Sequence, residues 1–209
     1  MVAAVVFDAF GTLLWRHSKL NPYRELLREG ALQGRKPRAD DVRRIMALDC
    51  DLAEIASLLG IELSADRQYE LQSLIEADLS GIRVYPDAQA AIDLLQRHGI
   101  VAGVCSNLAQ PYGSAIRSLF PNLDAYAHSY ELGFLKPDPE IYAWLRNALA
   151  SKLSGGRVEQ IWMIGDSLRC DRNGARAAGF MGYQLHRGGF GEFTDLHMFA
   201  EFVIASRAA

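Results

Sequence analysis

Four short segments of the chain each place a polar or charged side chain after an apolar run or at the start of a helical one. A nucleophilic carboxylate, a hydroxyl, a lysine and two further carboxylates together suit phosphoryl transfer, in which positioning and charge neutralisation dominate catalysis. The sequence therefore predicts a covalent aspartyl chemistry if one fold brings the four segments together. The residues concerned are Asp8, Ser106 with Asn107, Lys136, and Asp166 with Asp171.

Apolar runs of strand length alternate with helical patterns along most of the chain, as in α/β proteins. Right-handed crossovers would wind these units into an open, mostly parallel, doubly wound (Rossmann-like) sheet. Ligands bind beyond the carboxyl ends of such strands, and the four polar segments fall there. The five runs are 2–7, 100–105, 125–128, 160–164 and 181–185.

The helices expected in this core are marked by capping residues, prolines and glycines. We expect Asp138 to cap its helix, and an N-cap role for Asp171 is compatible with a role in the site. The expected helices follow Asp87, begin at Pro111, run from Asp138-Pro139 to Ala150 and run from about Asp171 to Gly179.

Residues 14–85 interrupt the alternation, because they show several helical patterns and no convincing strand. Helices are expected after Asn21, Asp40, Asp51 and Ser64. The sequence thus predicts an inserted all-helical cap domain at 14–85 and a core made of 1–13 and 86–209. The two connections, 15–18 and 81–85, would be hinges if the insertion opens and closes over the site.

Four strings of residues resemble, in order, the four motifs of the haloacid dehalogenase (HAD) superfamily of hydrolases. The strings are FDAFGTL at 7–13, CSN at 105–107, LKPDPEIY at 135–142 and GDSLRCD at 165–171. They extend over essentially the whole predicted core. The inserted helices are similar in position to the helical cap that this superfamily places between its first two motifs.

The resemblance implies a role for each matching residue around the transferring group. Asp8 would attack the substrate as the nucleophile, while Ser106 and the backbone at Asn107 would bind the transferring group. Lys136 would neutralise the charge that develops there.

The resemblance also implies a Mg²⁺ site. Asp166 would ligate the ion together with Asp8 and the backbone carbonyl of Phe10, while Asp171 would hold the metal's waters or orient Lys136. The three aspartates and the one lysine sum to a charge of −2 if they converge, and Mg²⁺ would offset that excess.

Phe10 departs from the pattern of the family's phosphatases, which carry a second aspartate two residues after the nucleophile as general acid and base. Such proton transfer typically contributes ~10²–10⁴-fold to a rate. The family's dehalogenases carry an aromatic residue at this position, and a halide leaves without a proton. Acyl phosphates or phosphoanhydrides would also leave without an acid.

Three functions remain open on the sequence. The Gly165-Asp166 pair favours a Mg²⁺-dependent phosphatase acting on a small phosphorylated metabolite, because the family's dehalogenases work without metal and generally lack this pair. Phe10 favours a metal-free 2-haloacid dehalogenase with a halogenated substrate. A catalytically impaired member that binds a ligand or regulates a partner is the third. The physiological substrate and the oligomeric state are not encoded in any recognisable pattern.

Composition narrows the partners and the compartment. A net charge of −3 over 209 residues supplies no general attraction to nucleic acid or anionic membranes. No apolar run approaches the ~18 residues of a membrane span. The three cysteines are widely spaced without a C-x-x-C pair, so neither a disulfide framework nor a zinc site is indicated, and a cytoplasmic location is expected.

Overall fold

The computed structural model describes residues 2–17, 20–153 and 160–208, and a five-stranded parallel sheet forms its centre. The sheet has the spatial order β5-β4-β1-β6-β7, and β2 and β3 form a separate antiparallel pair. This is the predicted doubly wound α/β fold, which is therefore confirmed. The strands are β1 (Ala4–Phe7), β2 (Leu14–Arg16), β3 (Ile82–Val84), β4 (Val101–Ser106), β5 (Ala125–His128), β6 (Ile161–Gly165) and β7 (Met181–Gln184).

Helices cover both faces of the sheet, so the four residues of β1 are completely buried. Side chains of α5, α6 and α10 pack on one face, and those of α8 and α9 pack on the other. The helices are α1 (Pro22–Leu32), α2 (Asp41–Ala47), α3 (Leu52–Leu58), α4 (Ala65–Ser80), α5 (Ala88–Arg97), α6 (Pro111–Leu119), α7 (Ser129–Leu132), α8 (Pro139–Ala150), a π-helix (Leu168–Gly174), α9 (Ala175–Ala177) and α10 (Leu196–Ala208).

The direction of the winding reverses beside β1, which pairs with β4 on one side and β6 on the other. Phe7 is level with both Val104 and Ile164 in these ladders. The segments that follow the three strands therefore start at one edge of the sheet, where open α/β folds bind their ligands. Asp8 is the first residue beyond β1.

The expectation of an all-helical segment without strands at 14–85 was wrong. Three-residue strands β2 and β3 pair antiparallel, with Trp15 level with Arg83. Strands of this length are too short to show an alternating pattern, which explains why they were not recognised. Helices α1–α4 lie between them in the chain. Residue 18 of the expected first hinge lies outside the described residues, and the separate cap domain stays a prediction.

Asp138 occupies the expected N-cap position of α8, whereas Asp171 is not an N-cap residue. The Asp138 side chain makes no capping bond to α8 and instead accepts from the Leu135 backbone N–H at 3.1 Å. The expected helix from Asp171 begins three residues earlier as the π-helix, and the hydroxyl of Ser167 caps it by accepting from the Cys170 N–H at 3.1 Å. Asp171 therefore lies inside the first turn, with its carboxylate available for other partners.

None of the helices in the described ranges is long and apolar enough to cross a membrane. The three cysteines carry free thiols.

The loop between α1 and α2 is held by a buried ion pair. Arg35 donates to both carboxylate oxygens of Asp41, at 2.8 and 2.5 Å, and also to the carbonyl of Leu59 beyond α3. The Arg38 N–H donates to the same carboxylate at 2.8 Å. The hydrogen bonds from Arg35 lower the pKa of Asp41 to about 2, although burial alone would raise it.

We predict that Asp41→Asn lowers the free energy of unfolding at pH 7 by about 1.5–3 kcal/mol, since it breaks charged hydrogen bonds. The folded-state pKa lies below the ordinary 3.8, so this stability is present above pH 4 and is lost as the pH falls towards 2. Urea unfolding of the wild type and of Asp41→Asn at pH 7 and pH 2.5 measures this difference in the free energy of unfolding. Glu25→Gln, which breaks an exposed pair with Arg28, is the control and should cost less than about 1 kcal/mol. An Asp41→Asn effect of equal size at both pH values would contradict the prediction.

Candidate active site

A buried lysine joins two of the predicted site carboxylates. The Lys136 ammonium donates to Oδ1 of Asp8 at 2.7 Å and to Oδ1 of Asp171 at 2.6 Å. Lys136 is 5% exposed, Asp8 7% and Asp171 0%. Three segments that are far apart in sequence thus meet in one charged cluster at the carboxyl edge of the sheet.

The Asn107 side chain fixes the backbone of Lys136. Its amide oxygen accepts from the Lys136 N–H at 2.7 Å, and its amide nitrogen donates to the Lys136 carbonyl at 2.8 Å. This two-bond clamp ties the end of β4 to the loop that carries the lysine. The sequence predicts a role for the Asn107 backbone alone, and this role of its side chain was not recognised there.

Asp171 is positioned by its neighbours on the π-helix and on β6. Its Oδ2 accepts from the Ser167 N–H at 2.9 Å, while Oδ1 accepts from the Lys136 ammonium at 2.6 Å. A Cβ placed on Gly165 would lie 2.2 Å from Oδ2 of Asp171, so only glycine allows the carboxylate to lie against the strand end. Both oxygens of Asp171 are therefore already used by the protein.

Asp166 lies against the turn that follows Asp8. The Asp166 N–H donates to the hydroxyl of the buried Thr12 at 3.2 Å. Gly11 has φ +89°, and a Cβ there would lie 2.1 Å from Oδ2 of Asp166. A glycine is needed at this position both for the backbone conformation and for the close approach of the carboxylate.

Burial and neighbouring charges together shift the pKa values of these groups. Burial is the largest cause that raises the pKa of Asp8, to about 7; Lys136 lowers it, and Asp171 and Asp166 raise it. Burial, followed by Asp171, also raises the pKa of Asp166. Burial alone would lower the pKa of Lys136, yet Asp171 and Asp8 hold it well above 10.5. The lysine thus stays charged, while Asp8 is reluctant to ionise without a further cation.

The donor set fits a magnesium ion. Asp8, Asp166 and Asp171 each offer a carboxylate oxygen, and these oxygens lie within 4.8 Å of one another. Mg²⁺ prefers oxygen ligands at about 2.0–2.1 Å and usually binds through one or two carboxylates plus waters. Asp8 and Asp166 suit direct ligation, because Asp171 already accepts hydrogen bonds on both oxygens. The cluster could therefore hold the ion, with Asp8 and Asp166 as ligands.

Ser106 and Phe10 lie at the same edge but contact different groups. Ser106 is the buried last residue of β4, and in the described residues its hydroxyl makes no hydrogen bond to Asp8, Lys136 or Asp171. The Phe10 ring meets Tyr112 of α6 edge-on at 5.8 Å, and the guanidinium carbon of Arg16 lies 5.5 Å from the ring centroid.

A family model for haloacid dehalogenase-like hydrolases matches residues 2–179. The chain therefore belongs to this family of hydrolases, and the resemblance drawn from the four motifs is confirmed. In sequence, 117 residues are 33% identical to the uncharacterized Saccharomyces cerevisiae protein YMR130W. That match spans 50% of this chain and 39% of the yeast protein.

Solved structures of several HAD proteins share the fold over almost the whole chain. A HAD phosphatase from Thermococcus onnurineus has a TM-score of 0.64 at 21% identity, covering 97% of this chain and 98% of that one. A 2-haloacid dehalogenase from Pseudomonas syringae pv. Tomato DC3000 has a TM-score of 0.63 at 19% sequence identity, and the match covers 100% of both chains. The magnesium-bound HAD-hydrolase YfnB from Bacillus subtilis has a TM-score of 0.61 at 18% sequence identity, and the match covers 97% of this chain and 99% of that one. At these identities the likeness shows the fold alone.

We predict that Asp8→Asn raises the free energy of unfolding of the metal-free protein at pH 8 and changes it little at pH 4. Because the folded-state pKa of about 7 lies above the ordinary 3.8, the wild-type fold loses stability as the pH rises from 4 to 7. Asparagine resembles the protonated carboxyl and avoids that loss. Urea unfolding in a chelator measures the effect, and the exposed Asp66→Asn is the control for losing one negative charge. No gain at pH 8 would contradict the assignment.

Proposed function

We propose that this HAD hydrolase is a Mg²⁺-dependent phosphatase that acts on a small phosphorylated metabolite through an aspartyl-phosphate at Asp8. The observation that carries the proposal is the cluster of Asp8, Lys136 and Asp171 beside Asp166. These four groups sum to −2, and the raised pKa of Asp8 calls for a further cation before it can act as an anionic nucleophile.

The proposed reaction has two displacements at phosphorus. The free carboxylate oxygen of Asp8 forms a bond to phosphorus while the bond to the leaving oxygen breaks with its electron pair. A water oxygen then attacks the same phosphorus, the bond to Asp8 breaks, and its electrons return to the carboxylate. The proton lost by the water passes to the released phosphate or to solvent.

The other site residues hold the phosphoryl group during both displacements. The Ser106 hydroxyl and the backbone at Asn107 would bind its oxygens, and Lys136 would neutralise negative charge on them. Mg²⁺, held by Asp8, Asp166 and the Phe10 carbonyl, would supply the remaining positive charge. Asp171 keeps the ammonium of Lys136 in place beside the nucleophile.

Residues 14–85 are proposed to act as a cap over this site. Two contacts support this: the Met46 carbonyl accepts from the Ser129 hydroxyl at 2.7 Å, and Arg43 pairs with Asp138, two residues after Lys136. Both join α2 to segments that follow the carboxyl end of β5. A cap held there would exclude water while the phosphoryl group is transferred.

A metal-free 2-haloacid dehalogenase is the second candidate. The observation that favours it is the aromatic residue Phe10 two positions after the nucleophile, where an acid is missing. The same Asp8 carboxylate would displace halide from carbon. A binding or regulatory member without turnover is the third, and retention of Asp8, Lys136 and Asp166 speaks against it.

One pair of assays separates these functions. We expect phosphate release from 4-nitrophenyl phosphate with Mg²⁺, and its loss with a chelator or in Asp8→Asn. No halide release from 2-chloropropionate is expected. Halide release without metal would favour the dehalogenase function over the phosphatase function. Inactivity in both assays would favour a binding or regulatory protein without turnover.

A second prediction concerns the missing acid. Phe10→Asp is expected to raise the hydrolysis of phosphate esters with poor leaving groups by about 10²-fold, the lower end of what a positioned acid contributes. The measurement is kcat across a panel of phosphate esters. Phe10→Asn is the matched control, because the asparagine side chain has nearly the same shape as aspartate and cannot act as a general acid. Equal rates in Phe10→Asp and Phe10→Asn would show that proton transfer does not limit this enzyme.

A further inference from the structure

A cation is fixed over the residue that replaces the family's acid. The guanidinium carbon of Arg16, on β2, lies 5.5 Å from the centre of the Phe10 ring. Nη1 of Arg16 donates to Oδ2 of Asp78 on α4 at 3.2 Å, and the Tyr112 hydroxyl of α6 donates to the same oxygen at 2.7 Å. Asp78 is completely buried. The buried Asp78 carboxylate thus holds the guanidinium in place, while 41% of the Arg16 side chain remains exposed.

Two cavities meet at this cation. One, of about 500 Å³, reaches Asp166 of the site, and the other, of about 360 Å³, extends under α1 and α2. Phe10, Arg16 and Asn21 line both. The second cavity is mainly apolar, and its lining includes Leu27, Ile45, Met46 and Tyr112. Arg16 therefore lines both the cavity that reaches Asp166 and the apolar cavity.

We propose that Arg16 binds the leaving group of an acyl phosphate whose apolar acyl chain occupies the second cavity. This inference rests on the proposed phosphatase function and names its substrate class. When Asp8 attacks phosphorus, the bond between phosphorus and the acyl oxygen breaks, and its electron pair leaves with a carboxylate. That carboxylate needs no proton, so the absence of an acid at Phe10 is no obstacle to it.

The chemistry of arginine favours this type of leaving group over an alkoxide. A guanidinium stays charged at all working pH values and does not act as a proton donor in catalysis, whereas its planar fork matches a carboxylate with two hydrogen bonds. An alkoxide leaving group would need a proton that neither Phe10 nor Arg16 can supply. The apolar lining further favours an acyl chain over the polar body of a phosphoanhydride.

The test compares benzoyl phosphate with phenyl phosphate, which share an apolar ring and differ in the group that leaves. Arg16→Gln is expected to lower kcat/KM for benzoyl phosphate by about 10- to 100-fold, the loss of a charged hydrogen-bond pair. The change for phenyl phosphate should stay below about threefold. Arg16→Lys should restore part of the loss, and Arg83→Gln on the neighbouring strand is the matched control. An equal loss for both substrates, or no loss, would overturn the proposal.

Binding of the product carboxylate gives a second readout that does not need turnover. Calorimetric titration with benzoate should show about 10-fold weaker binding to Arg16→Gln than to the wild type. Wild-type protein that releases phosphate from neither substrate would refute the phosphatase function, and benzoate binding would then decide the role of Arg16 alone. A benzoate affinity that is the same in Arg16→Gln and in the wild type would refute the proposed role of Arg16. Faster turnover of pyrophosphate than of benzoyl phosphate would refute the apolar acyl group.

Discussion

The buried ammonium of Lys136 between Asp8 and Asp171 is the interaction on which the rest of the site depends. Removing ions from water is costly, and a buried charge is tolerated only with close partners. Each neighbouring feature serves this contact: the Asn107 amide fixes the lysine backbone, and the bare Cα of Gly165 lets Asp171 approach. Without the lysine, two buried carboxylates would face each other with no cation between them.

The reversal of the winding beside β1 brings that unit together, and this part of the molecule was predictable. Apolar runs and turn residues predict strands in a sheet whose order follows from handed crossovers, and a polar residue after each strand predicts the edge where they meet. The convergence of Asp8, Ser106 and Asp166 follows from these rules and from no long-range information. The same rules predict helices on both faces, as the structure has them.

The features that were missed depend on contacts between residues far apart in sequence. The pair β2 and β3 is too short for a pattern, and the partners of Asp138 and Asp171 lie outside their own helices. Arg16 looks like an ordinary surface arginine in the sequence. Its meaning comes from Asp78, 62 residues away, and from the ring of Phe10 beneath it. Local propensity contains no information on such pairs.

In the proposed reaction, the nine residues from Asp8 to Arg16 contain both the attacking carboxylate and the cation that binds the leaving group. The five-stranded sheet and the contact between Asn107 and Lys136 lie outside this stretch. On the proposed mechanism, substitution of Phe10 or Arg16 would change which group departs, while Ser106, Asn107 and Lys136 stay the same. Members of such a family can diverge in chemistry by local substitution, without renewed selection of the fold.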